Sequence, residues 1–163
     1  MGSKAVSNTG PLLHLNEIDL IKALNVFEEV FIAEEVRNEL IRNKVAIPKK
    51  AKLVDLKPQF KDVAEILVNK FSLDLGESQS IALSLQEKVS YFLTDDLDAR
   101  TVASSHGKES HGTIGIILRA FREKIFDKET AIKKVSELYT ISSLFITKGL
   151  INEAIRSINE FKG

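Results

Sequence analysis

Between Val89 and Ala103 the sequence changes character twice. An apolar run at 89–93 ends in Thr94 and meets Asp95, Asp96 and Asp98, after which Ala99, Val102 and Ala103 fall at helical spacing. That order predicts a strand, an acidic turn and a helix. In an open α/β sheet such a turn lies at the carboxyl ends of the strands, where ligands bind in the crevice between neighbouring connections. Carboxylates packed together raise one another's pKa and cost stability unless a cation neutralises them, and their hard oxygens suit Mg²⁺ or Mn²⁺. Helix capping is the competing reading: Asp95 or Asp96 as N-cap, and Asp98 in the first turn, would satisfy free amides and the helix dipole.

The rest of the chain repeats the strand-then-helix order. Residues 4–7 form a strand candidate, and Asn8-Thr9-Gly10-Pro11 supplies turn and cap chemistry before Leu12, Leu15, Ile18, Ile21 and Leu24, spaced as two short helices. A second strand is expected at 30–32 and a helical segment at 33–43, with Val36 and Leu40 on one face and Glu39 beside them. Pro48 and its lysines read as a loop, 53–56 as a weak strand, and Phe60, Val63, Ala64, Leu67 and Phe71 as an amphipathic helix. Residues 73–77 turn into a helix carrying Ile81, Ala82 and Leu85. After the acidic turn, 105–112 is expected as a polar loop leading into a helix with Ile114, Ile117, Leu118 and Phe121 on one face. Further helices are expected near 128–139 and 147–161. Short strands alternating with longer helices argue for a parallel sheet covered on both faces.

Composition narrows the partners. The 163 residues fit one domain, with a core expected at about 4–125 and a helical extension at about 126–163. Lys plus Arg and Asp plus Glu are both 23, so no global positive field announces a nucleic-acid partner, and any such partner must be held by a local patch. The absence of cysteine excludes disulfides, thiolate metal sites and cysteine nucleophiles. No apolar run approaches the roughly 20 residues that span a bilayer, and the N-terminus lacks the basic-then-apolar order of a signal peptide, so a cytoplasmic protein is expected.

Polar residues recur at element ends. Asn8 follows the first strand, Glu39 ends the helix after the second, Glu77 opens the helix before the central strand, and the three aspartates follow that strand. In a parallel sheet these termini can converge on one edge. His14, His106 and His111 have no metal-ligand spacing, and no serine sits in a nucleophile elbow. Gly112-Thr113-Ile114-Gly115 opens a helix whose free amides could receive a phosphate, or serves as a threonine cap. A basic stretch through Arg37, Arg42, Lys44, Lys49, Lys50, Lys52, Lys57 and Lys61 could track an RNA backbone or be a solvated face.

Four short motifs in order carry a resemblance. Ser7-Asn8-Thr9-Gly10-Pro11-Leu12, Gly76-Glu77-Ser78-Gln79-Ser80-Ile81-Ala82-Leu83, Thr94-Asp95-Asp96-Leu97-Asp98-Ala99-Arg100 and Gly112-Thr113-Ile114-Gly115 resemble those of the PIN domain family, ribonucleases that include the VapC toxins, and in particular an uncharacterised PIN subfamily. The resemblance implies a three-layer α/β/α sandwich with a mostly parallel central sheet, here with extra C-terminal helices. It implies a Mg²⁺- or Mn²⁺-dependent ribonuclease, as the toxin of a toxin–antitoxin pair with an antitoxin protein as partner, forming a homodimer. The catalytic group it implies is Glu39, Glu77, Asp95, Asp96 and Asp98. The metal ligands would be Asn8, Glu77, Asp96 and Asp98, with Lys49, Lys50, Lys52 and Thr113 at the RNA. Two departures from the family pattern are Asn8, an amide where the best-known members carry a carboxylate, and Gln79, in place of the second glutamate of the Gly-Glu-x-Glu stretch. They keep a second expectation alive, a non-catalytic RNA- or protein-binding module. A phospho-receiver domain would need paired acids after the first strand, where this chain has Ser7-Asn8-Thr9.

Overall fold

In the computed structural model, which describes residues 3–163, five short strands form one sheet, and every pairing in it is parallel. They are β1 (Lys4–Ser7), β2 (Glu29–Ile32), β3 (Ala51–Leu53), β4 (Tyr91–Leu93) and β5 (Glu109–His111), in the spatial order β3-β2-β1-β4-β5. The helices are α1 (Thr9–Glu17), α2 (Glu34–Arg42), α3 (Pro58–Phe71), α4 (Leu75–Gln86), α5 (Leu97–Ser105), α6 (Thr113–Arg122), α7 (Lys128–Thr140) and α8 (Lys148–Glu160), with a 3-10 segment at Ile21–Val26. This is a three-layer α/β/α fold.

Side-chain alternation along the strands sorts the core into two halves. Ala5, Val30, Ile32 and Leu93 belong to one, packed with α1, the 3-10 segment, α6, α7 and α8. Val6, Phe31 and Phe92 belong to the other, with Leu67 of α3, Ile81 and Leu83 of α4, and Val102 of α5. Both faces are covered, which is why the strands read as near-continuous apolar runs. Ala131, Val135 and Leu138 of α7 and Ile151, Ala154 and Ile158 of α8 pack into the same cluster as α1 and α6.

Two expected elements are corrected. The third strand lies at Ala51–Leu53, upstream of the alternation at 53–56, because Leu53 already pairs with Ile32, the last residue of β2. Val54 adds only one further bond, its N–H donating to the Ile32 carbonyl at 3.1 Å. The expected loop at 105–112 contains an edge strand: Glu109, Ser110 and His111 pair with Tyr91, Phe92 and Leu93. Its polar sequence carries no alternation signal, and the pairing rests on backbone bonds to a neighbour that is itself fixed in the core.

The chain lays β2 and β3 to one side of β1 and then returns to place β4 on the other. The topological switch point therefore falls between β1 and β4, where Asn8 leaves one strand and Thr94 to Asp96 leave the other. Among the described residues no helix is long and apolar enough to cross a membrane.

Candidate metal centre

Helix N-termini gather at the carboxyl edge of the sheet, capped by residues of their own segments or by a neighbouring element. Asn8 caps α1, its Oδ1 accepting the Thr9 N–H at 3.0 Å, while its Nδ2 donates to Thr94 Oγ1 across the switch point at 3.3 Å. Asp96 caps α5, its Oδ2 accepting the Ala99 N–H at 2.8 Å, and its own N–H donates to the same Thr94 hydroxyl at 3.1 Å. Thr94, fully buried, thus ties the two strand ends together. Asp74 caps α4, its Oδ1 accepting the Glu77 N–H at 2.8 Å. The α2 N-cap, Ala33, has no side chain to offer, and Gln79 of α4 reaches across so that its Oε1 accepts the Glu35 N–H at 2.9 Å.

Four carboxylates share this edge. Glu39 Oε2 accepts from the Thr9 hydroxyl at 2.9 Å, which fixes the last turns of α2 against the start of α1. Its other oxygen lies against Gly76 so closely that a Cβ there would overlap it, and that same point is 3.7 Å from Asp74 Oδ1. A side chain at this position would have to push the Glu39 carboxylate aside. Burial pushes the Glu39 carboxyl up; the Thr9 bond opposes this, and the charges of Asp74 and Glu35 add to it. Glu77 is pushed up to about 8, first by burial, then by the hydrogen bond and charge of Asp74 and by the charge of Asp96. Asp74 thus acts on both Glu39 and Glu77, and Asp96 acts on Glu77.

The structure separates the three aspartates of the acidic turn. Asp96 stands with Glu77, and Asp98 lies exposed in the first turn of α5, its carboxylate making no hydrogen bond or ion pair with any described residue. Asp95 turns inward. Its Oδ1 accepts the Thr113 N–H at 2.7 Å, and its Oδ2 accepts the Thr113 hydroxyl at 2.6 Å and the His14 Nδ1–H at 2.7 Å. Burial acts to raise the Asp95 carboxyl, but the bonds from His14 and Thr113 outweigh it and hold it below the usual carboxylate range. With three hydrogen bonds from His14 and Thr113, Asp95 braces α1 against α6. Arg100 lies over Gly112, where a Cβ would come within 2.5 Å of its Nη2 and 2.9 Å of Asp95 Oδ1.

The expected RNA contacts do not join the acids. Thr113 is fully buried with its amide and hydroxyl both given to Asp95, so a carboxylate of the protein already fills the α6 N-terminus. Lys49, Lys50 and Lys52 stand at the beginning of β3, in a depression shared with Glu28 and Glu29 at the beginning of β2. That is the amino edge of a parallel sheet, opposite the acids.

Sequence reasoning passed over Asp74, His14 and Thr9. Asp74-Leu75-Gly76-Glu77 carries the acceptor-x-x-Glu signature of a helix start, which was available as a signal for Asp74. Nothing local pairs His14 with Asp95 or Thr9 with Glu39, separated by 81 and 30 residues.

The donor set fits a hard divalent cation. Among the described residues no three His, Asp or Glu side chains already enclose a point where an ion could sit. The oxygens of Glu39, Asp74, Glu77 and Asp96 nevertheless suit Mg²⁺ or Mn²⁺, and no lysine or arginine among the described residues forms an ion pair with any of the four. Burial is the main reason Glu77 holds its proton, and the neighbouring charges of Asp74 and Asp96 add to it.

No curated protein matches this chain. A family model described as a PIN domain (DUF3368) matches residues 4–160, which takes in the sheet, the acid-bearing helices and both C-terminal helices. An all-parallel sheet with its acids at the β1/β4 switch point, matched by that model over almost its whole length, belongs to the PIN domain family, a nuclease-type fold.

Proposed function

We propose that the chain is a Mg²⁺- or Mn²⁺-dependent ribonuclease. The observation that carries this reading is the crowding of Glu39, Asp74, Glu77 and Asp96, with Glu77 holding its proton up to about 8. Such crowding costs stability, and a bound divalent ion would relieve it. Glu77 and Asp96 would hold the ion, with Asp74 and Glu39 beside them. When bound, it would supply positive charge to the scissile phosphate and acidify an attacking water.

The protein's own groups have separable parts. Glu77 must release its proton to become a ligand, and Asp96 is held in place by its bond to the Ala99 amide. Glu39 is aimed by Thr9, and burial raises its proton affinity, the direction that favours accepting a proton from water. The His14–Asp95–Thr113 brace fixes the α5 entry from behind. Asn8 keeps the position of the family's first acid while contributing no charge, and this specific observation favours the second reading, a module that binds RNA without cutting it. One assay separates the two. Cleavage of an RNA pool in Mn²⁺, abolished by EDTA and by Asp96→Asn, supports the nuclease; binding without cleavage supports the module.

A further inference from the structure

The α7–α8 connection presents an aromatic ring that the core does not use. From Ser142 to Ile146 the chain alternates: Leu144 and Ile146 pack against the core, while Ser143 and Phe145 face outward. Glu17 at the end of α1 clamps this stretch, its Oε1 accepting from both the Ser143 N–H and the Ser143 hydroxyl at 2.9 Å. Phe145 is left 95% exposed on a tethered segment. One exposed ring alone is ordinary; what singles this one out is that it shares a groove with other exposed apolar side chains. Leu97 and Leu150, also exposed, line the same groove, whose volume is about 850 Å³. Asp96 lies on its wall, as do Arg100 and Arg122. Arg122 has no carboxylate partner among the described residues.

We propose that this groove takes single-stranded RNA beside the phosphate to be cut, with Phe145 as the platform on which one unpaired base stacks and Arg122 at the backbone. The inference rests on the ribonuclease reading for its ligand, since the groove is continuous with Asp96. A ring for a base and a free guanidinium for a phosphate are the two parts that single-strand sites combine. Asp98 on the same rim repels phosphate, which directs the backbone to the arginine side. An apolar protein partner could cover Leu97, Phe145 and Leu150 but would bury the charges of Arg122, Asp96 and Asp98 beside them, charges that interface cores are depleted in.

The test is fluorescence anisotropy of a labelled single-stranded RNA oligonucleotide with the full chain in EDTA, alongside cleavage in Mn²⁺. Phe145→Ala should weaken binding about 10-fold while Phe145→Trp restores it, and a duplex of the same sequence should show no dependence on residue 145. Arg122→Ala should lower the slope of log affinity against log salt by about 1. Phe145-dependent binding without cleavage would keep the groove and remove the nuclease reading. Cleavage and binding unchanged by Phe145→Ala would keep the nuclease and overturn the groove. A shift of the sedimentation coefficient from dimer to monomer on Phe145→Ala, with RNA binding intact, would make this face a protein interface and overturn it as well.

Discussion

Asp96 caps α5 through one carboxylate oxygen, and its other oxygen accepts no hydrogen bond from a described residue, so capping leaves room for the ligand role proposed above. Asn is as good an N-cap as Asp, so Asp96→Asn should leave the fold within a few tenths of a kcal/mol while lowering cleavage at least about 100-fold. Urea melts beside cleavage rates would show it, and a variant that still cuts would place the chemistry elsewhere. Asn8 poses the opposite substitution. Its Nδ2–H bond to Thr94 Oγ1 would be lost in Asn8→Asp, but the Thr94 hydroxyl can rotate to donate instead, and the Thr9 cap survives. Added charge beside the acids should tighten Mn²⁺ binding and lower the stability of the metal-free protein, as calorimetric titration and melts in EDTA would separate. Unchanged Mn²⁺ affinity would put Asn8 outside the site.

At the scale of elements, the site is an assembly of helix starts. Two of these helices are capped by acids of their own segment, and Asp127 offers a comparison because it caps α7 far from the cleft, its Oδ1 accepting the Thr130 N–H at 2.8 Å. Asp127→Ala should lower the urea midpoint, because it removes the N-cap of α7. Asp74→Ala removes an equivalent bond but also relieves Glu77 and Glu39 of a like charge, so its net cost at pH 8 should be smaller. Equal costs in urea unfolding would mean that the acids do not feel one another. Gln79 shows the same logic across elements. It satisfies the α2 amide that Ala33 cannot reach, so Gln79→Ala should destabilise by about 1 kcal/mol and loosen the helix that carries Glu39.

For the whole molecule the raised Glu77 carboxyl sets a pH dependence. A carboxyl whose folded pKa exceeds its unfolded value binds its proton more tightly in the native state, so its contribution to stability is complete below about pH 4.5 and is lost as pH rises through about 8. Glu39 adds in the same direction, while the lowered Asp95 acts oppositely, its contribution being lost only as acid protonates it. Across pH 6 to 9 the metal-free protein should therefore lose stability, and Glu77→Gln should flatten that slope. Because a divalent ion must displace this proton, Mn²⁺ should raise Tm more at pH 8 than at pH 6. Differential scanning calorimetry at the two pH values, with and without Mn²⁺, measures both; a Tm gain independent of pH would mean that Glu77 is not displaced.

Periodicity determined the element order, because amphipathic stripes such as Val36 and Leu40 or Ile151, Ala154 and Ile158 are local facts of a 3.6-residue repeat. The parallel sheet followed from the alternation of strands and helices, and the acidic turn announced itself through spacing alone. Edge strand β5 did not, since Glu109-Ser110-His111 carries no alternation and owes its conformation to backbone bonds with β4. Only the tertiary structure divided the three aspartates, sending Asp95 inward to His14 and Thr113 and leaving Asp96 at the cleft, because adjacent residues leaving a strand point to opposite sides and distant partners decide which side is polar. It also placed Asp74 among the acids and Lys49 at the far edge of the sheet. Charge type is written in the chain, but the field that pushes Glu77 up is a sum over neighbours that folding brings together, and no local pattern encodes that sum.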